Sequence, residues 1–77
     1  MKFYEQKIKG VYLIEPTPFT DDRGVFRRHF CAEEFSKNNI VTDVSQSNIS
    51  ENPFAHTLRG FHYQERPYAE GKTMSCL

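Results

Sequence analysis

The sequence has no excess charge of either sign. Ten Lys and Arg residues balance ten Asp and Glu residues, for a net charge of zero with neutral histidines. A neutral chain offers no electrostatic footprint for nucleic acid or for an anionic membrane surface. No apolar run approaches the roughly 20 residues needed to span a bilayer. Met1-Lys2-Phe3-Tyr4-Glu5-Gln6 lacks the apolar stretch of a signal peptide. Cysteine is scarce: Cys31 and Cys76 lie far apart, without metal or disulfide spacing. That pattern predicts two reduced thiols in a cytoplasmic protein. Repeats and low-complexity segments are absent too. With 77 residues, the chain has room for one domain at most. A chain this short buries only about 60% of its unfolded surface. Its 38% hydrophobic and 14% aromatic residues nevertheless place it among globular chains.

What is present reads mostly as strand and turn. Val11-Tyr12-Leu13-Ile14 is a short apolar run closed by Pro16 and Pro18. Thr20-Asp21-Asp22-Arg23-Gly24 predicts a turn, with Gly24 at positive φ. Val25 to Phe30 is rich in β-formers. Ala32 to Asn39 carries the single helical signal, with Glu33, Glu34 and Lys37 at helical spacing and a stop at Asn38-Asn39. At about two turns, that helix is expected to decorate the fold and not to build its core. Val41 to Ser50 alternates loosely, Leu58 to Gln64 reads as a strand between Pro53 and Pro67, and Thr73 to Leu77 begins another. The expectation is all-β: about five strands, one short helix and an antiparallel sandwich or barrel.

Residues two apart on a strand share a face. Gln46, Asn48 and Ser50 therefore form one polar row, and Gly60, His62 and Gln64 another. A polar row is costly in an ordinary core. It is natural on a solvated face, the ordinary place for such residues, or lining a ligand cavity. Arg59 has the opposite parity to His62, so a bulge near Gly60 is needed to bring both to one site. A metal is not expected. His62-Tyr63-Gln64 offers an amide where a second imidazole would be required, and His29 and His56 sit on other segments. An unligated His62 is free to move a proton near neutral pH. Its ordinary alternative is a structural, hydrogen-bonded histidine.

Three blocks carry a resemblance: "DDRGVFRRHF" (21–30), "VSQSNIS" (44–50) and "TLRGFHYQERPYAEGK" (57–72). In order and spacing they resemble the N-terminal part of the dTDP-4-dehydrorhamnose 3,5-epimerase family, over the stretch from about Gly10 to Leu77. The third block is the most specific. The resemblance implies a cupin-type jelly roll, a homodimer, and a cofactor-free, metal-free reaction on a nucleotide-linked 4-keto-6-deoxy sugar. In that chemistry the C4 keto group acidifies the protons on C3 and C5. A base removes one to give an enolate, and reprotonation from the opposite face inverts the centre. The resemblance makes His62 the base and Lys72 the cation at the enolate oxygen, an effect of about 3 kcal/mol per oxyanion donor. It puts Arg59 near the sugar or diphosphate, where a guanidinium fork suits phosphate oxygens. It gives Gln46 and Asn48 to the sugar and phosphate, and Arg23 and Phe26 to the nucleotide, with Phe26 as a stacking face.

Two departures stand beside it. Arg28 occupies a place where the family's best-known members carry a glutamate, which opens the identity of the nucleotide: dTDP, CDP or another. The family's tyrosine acid and the aspartate that orients the histidine fall beyond Leu77, and Leu77 itself lies inside what reads as a strand. Residues 1–77 are thus expected to be a single partial domain, the N-terminal half of a jelly roll. Such a half would leave Phe3, Val11, Leu13, Phe30, Leu58 and Phe61 on an uncovered face. Alone it is expected to be inactive. The competing expectation is a non-catalytic β-sandwich module that binds a sugar nucleotide or a protein partner.

Overall fold

The computed structural model describes residues 1–77. Its regular elements lie in the first half of the chain. They are β1 (Lys2–Glu5), β2 (Tyr12–Glu15), β3 (Pro18–Asp21), β4 (Gly24–Arg27) and α1 (Ala32–Lys37). Two compact units divide the chain, Met1–Asp43 and Val44–Leu77.

In the first unit the strands form two antiparallel hairpins. β1 pairs with β2 in the register Phe3↔Ile14 and Tyr4↔Leu13. Their connection is held by the Gln6 amide donating to the Val11 carbonyl at 2.8 Å. β3 pairs with β4 through Phe19↔Phe26, Thr20↔Val25 and Asp21↔Gly24. The tight turn between them depends on Gly24, at φ 129°, a conformation that side-chain-bearing residues rarely adopt. Asp21 accepts from the Arg23 amide at 2.9 Å, the local bond that makes aspartate a turn residue.

Helix α1 begins without a side-chain cap at Cys31. Its one i,i+4 ion pair joins Lys37 and Glu33 at 3.0 Å. Its end is better satisfied. Asn39 takes the left-handed conformation at φ 58°. The Ile40 amide donates to the Phe35 carbonyl and the Asn39 amide to the Ser36 carbonyl, each at 3.0 Å. This is the Schellman arrangement, which pairs carbonyls that a helix end otherwise leaves open.

The core is small and aromatic. Phe35 is the one fully buried large side chain, 2% exposed. Phe3 of β1 meets it edge-on with ring centroids 5.7 Å apart, and Phe30 meets it at 4.9 Å. Edge-to-face pairs contribute about 0.5–1.5 kcal/mol each beyond the area they bury. The helix expected to be a decoration is therefore the core-forming element: two turns suffice because one side chain on it is enclosed.

Other expectations also need correction. β1 and β3 form where no strand was predicted, and β4 stops at Arg27 instead of Phe30. No strand forms over 41–50, 58–64 or 73–77. A strand persists only when its amides and carbonyls join a ladder, and these segments have no ladder partner. The regular structure is strand-dominated, as expected. Two separate hairpins do not amount to a jelly roll. Of the apolar residues expected to lie uncovered, Val11, Leu13, Leu58 and Phe61 are exposed, whereas Phe3 and the partly exposed Phe30 pack on Phe35.

Candidate functional site

The first unit carries Arg23, Phe26 and Arg28 on and just after the β3–β4 hairpin. Arg23 and Phe26 line one open hollow of about 560 Å³, together with Phe19 and Val25. Arg23 is not free in it. Its Nη2 and Nε donate to Oδ2 of Asp21 at 2.7 and 3.2 Å. That guanidinium holds the Asp21 carboxyl below the usual carboxylate range, with the Arg23 and Gly24 amides adding to the effect. Phe26 is 72% exposed, so its ring face is open to a ligand.

Arg28 sits at the other side of the same hairpin. Its Nη1 donates to Oε2 of Glu34 at 3.3 Å, while the Met1 ammonium takes Oε1 at 3.0 Å. Glu34 is held below its ordinary pKa, first by the Met1 ammonium and then by Arg28. A second hollow, of about 270 Å³, lies over Phe19, Phe26, Arg28 and Glu34.

Phe19 is a residue that sequence reasoning missed. Counting outward from the Asp22-Arg23 turn pairs Asp21 with Gly24, Thr20 with Val25 and Phe19 with Phe26. The turn was visible in the sequence, so the pair could have been found by that count. Pro18 obscured it by reading as a strand terminator.

The second unit carries Gln46, Asn48, Arg59, His62 and Lys72, all exposed. One contact joins two of them: Lys72 Nζ donates to the backbone carbonyl of His62 at 3.3 Å. The same ammonium pairs with Glu70 at 3.1 Å. The loop from His62 to Lys72 is thereby closed on itself, turned by Pro67 and by the Tyr68 amide donating to the Glu65 carbonyl at 2.8 Å. Tyr63, next to His62, reaches Glu65 through its hydroxyl at 3.5 Å. No hydrogen bond joins Gln46, Asn48 or Arg59 to the histidine–lysine pair. No group of three or more His, Cys, Asp or Glu side chains converges as a metal site would, and no helix is long and apolar enough to cross a membrane.

The features together define a β-rich protein with a histidine and a lysine drawn to one loop and an aromatic, arginine-bearing hairpin before them. The chain belongs to the dTDP-4-dehydrorhamnose 3,5-epimerase family, whose profile matches residues 5–77. It is 38% identical over 76 residues to the dTDP-4-dehydrorhamnose 3,5-epimerase of Sinorhizobium fredii, covering 99% of this chain and 39% of that protein. It is 35% identical over 78 residues to the enzyme of the same name from Shigella flexneri, covering 100% of this chain and 42% of the relative. A third relative of that name, from Escherichia coli, is 35% identical over 78 residues, with 99% and 41% covered. The chain thus spans about two fifths of the length of the curated relatives it matches. No solved structure matches it.

Proposed function

We propose that these residues form the base-bearing part of a sugar-nucleotide epimerase acting at C3, C5 or both of a nucleotide-linked 4-keto-6-deoxy sugar. The observation that carries the reading is the Lys72 ammonium lying 3.3 Å from the His62 carbonyl. That contact ties the cation to the main chain of the residue whose imidazole removes the proton. His62 takes the proton from the carbon next to the ketone. The electron pair moves onto the C4 oxygen, and Lys72 stabilises that oxyanion. Return of a proton to the opposite face completes the inversion, and no external oxidant or cofactor enters the balance. Arg23 and Phe26 hold the nucleotide. Gln46, Asn48 and Arg59 face the sugar and diphosphate. The full fold is a cupin-type jelly roll of which residues 1–77 are the N-terminal part. It works as a cytoplasmic homodimer, with neither nucleic acid nor membrane as partner.

The test joins residues 1–77 to the remaining length of the Shigella flexneri relative and incubates the fusion with dTDP-4-keto-6-deoxyglucose in deuterated water. NMR then follows deuterium entering C3 and C5. The fusion is expected to exchange, and residues 1–77 alone are expected to turn over nothing. In the fusion, His62→Ala should stop the exchange and leave nucleotide binding in place. Exchange at the unsubstituted rate in that variant removes His62 as the base.

A further inference from the structure

The contact between Lys72 and His62 has a third member, Glu70, which takes no part in the reaction as written. We propose that Glu70 is a positioning residue: its carboxylate holds the Lys72 ammonium against the His62 main chain, so that the cation is in place when charge develops on the C4 oxygen. The inference rests on the epimerase reading above and adds to it the group that fixes the lysine.

A lysine needs such help. Its ammonium is a point charge on a flexible four-carbon stem, with rotating donors and no rigid fork. Stabilising an oxyanion requires a donor already aimed where the charge appears. The Tyr68–Glu65 bond turns the loop, but it constrains the main chain and leaves the stem free. Two contacts hold the tip. Lys72 Nζ donates to the His62 carbonyl at 3.3 Å, and Oε1 of Glu70 lies 3.1 Å from the same nitrogen. The carbonyl is a neutral acceptor at the longer distance. The carboxylate is closer and carries a full charge, which makes such contacts stronger. Glu70 is therefore the larger of the two restraints. An ammonium has three N–H groups, so with both contacts made a donor is left for the substrate.

Exposure separates positioning from stability. Lys72 and Glu70 keep 46% and 44% of their side-chain surface in water. Ion pairs of this kind add little to folding, so loss of Glu70 leaves the fold in place and frees the lysine tip. A carboxylate beside the cation also weakens its field at the oxyanion. The two effects have opposite signs: positioning predicts a slower enzyme without Glu70, and quenching a faster one. Placement is the larger effect, because a displacement of about 1 Å can cost about a hundredfold in rate, whereas water damps the field of a half-solvated charge.

The experiment has two arms. In residues 1–77, NMR compares the His62 carbonyl carbon shift in the unsubstituted chain, Lys72→Met and Glu70→Ala. Glu70→Ala should move it as Lys72→Met does, because the ammonium leaves the carbonyl in both. A shift unmoved by Glu70→Ala overturns the proposal. In the fusion with the Shigella flexneri relative, Glu70→Ala should lower kcat at least about tenfold with KM within about twofold, the signature of an interaction made only in the transition state. Glu70→Gln keeps the length and an acceptor oxygen, and should stay within about threefold of the unsubstituted rate. Added to Lys72→Met, Glu70→Ala should cost nothing further, because its effect passes through the lysine. An unchanged or faster Glu70→Ala, a loss confined to KM, a Glu70→Gln as slow as Glu70→Ala, or losses that add in the double variant each overturn the proposal and leave the epimerase reading standing. Silence of the unsubstituted fusion overturns the epimerase reading, and the His62 carbonyl shift then decides the tether by itself.

Discussion

Replacing Phe35 by alanine should unfold the first unit. Phe35 is 2% exposed, and its truncation removes two edge-on ring contacts, at 5.7 Å to Phe3 and 4.9 Å to Phe30. At about 0.5–1.5 kcal/mol each, those contacts amount to about 1–3 kcal/mol. Burial of the ring contributes about 1.5–3 kcal/mol more. The sum agrees with the about 3–5 kcal/mol measured for buried Phe→Ala changes elsewhere. Met1–Asp43, at about 0.05–0.15 kcal/mol per residue, holds only about 2–6 kcal/mol in total. The loss is thus comparable to the whole stability. Amide exchange and urea unfolding are the assays, with Phe26→Ala as the control. Phe26 is 72% exposed, so its truncation should shift stability by no more than about 0.5 kcal/mol. Phe35→Ala should collapse protection in β1, β2 and α1 together, and with it the Arg28–Glu34 contact, because Glu34 rides on the same helix. A Phe35→Ala curve within about 1 kcal/mol of the unsubstituted chain refutes the claim that this ring is the core.

Two further outcomes follow from the site. Lys72→Met, in the fusion described above, should lower turnover far more than substrate affinity, because the enolate charge exists only after proton removal; a loss confined to affinity would make Lys72 a phosphate contact. The β3–β4 turn should loosen in acid. Asp21 is held below its ordinary pKa by the Arg23 guanidinium, so its contribution is complete above the unfolded carboxylate value near pH 4. That contribution is lost as pH falls through the lower folded value. Amide protection of Arg23 followed downward from pH 5 reports this, and the same acid profile in Asp21→Asn would exclude Asp21 as its cause.

Local signals in the sequence were reliable, and non-local ones were not. The helix, its Glu33–Lys37 pair and its stop at Asn38-Asn39 could all be read, because each depends on neighbours within five residues. The Asp21–Gly24 turn was equally visible. β1 was hidden because Lys2-Phe3-Tyr4-Glu5 lacks alternation and becomes a strand only against β2. β3 was hidden behind Pro18, which is tolerated as the first residue of an edge strand. The value of Phe35 was missed because burial of one ring arises from Phe3, far away in the chain. In the site, the sequence brought His62 and Lys72 into one argument, and the contact between them runs from the Lys72 ammonium to the main-chain carbonyl of His62. The polar rows at 46–50 and 60–64 presupposed strands, and parity has no meaning where no ladder forms.

The end of α1 also sets what substitutions the chain can accept there. Asn39 holds φ 58°, which crowds the Cβ of most L-residues and is entered readily only by glycine, and next by asparagine. Its amide, bonded to Ser36 at 3.0 Å, rules out proline as well. Position 39 is therefore specified by its backbone alone: glycine can replace asparagine without loss, and valine, isoleucine and threonine are shut out even though the side chain faces open water. A surface position whose tolerance is this narrow would look functional in any survey of variants, and here the whole cause is the angle at which the chain leaves a helix.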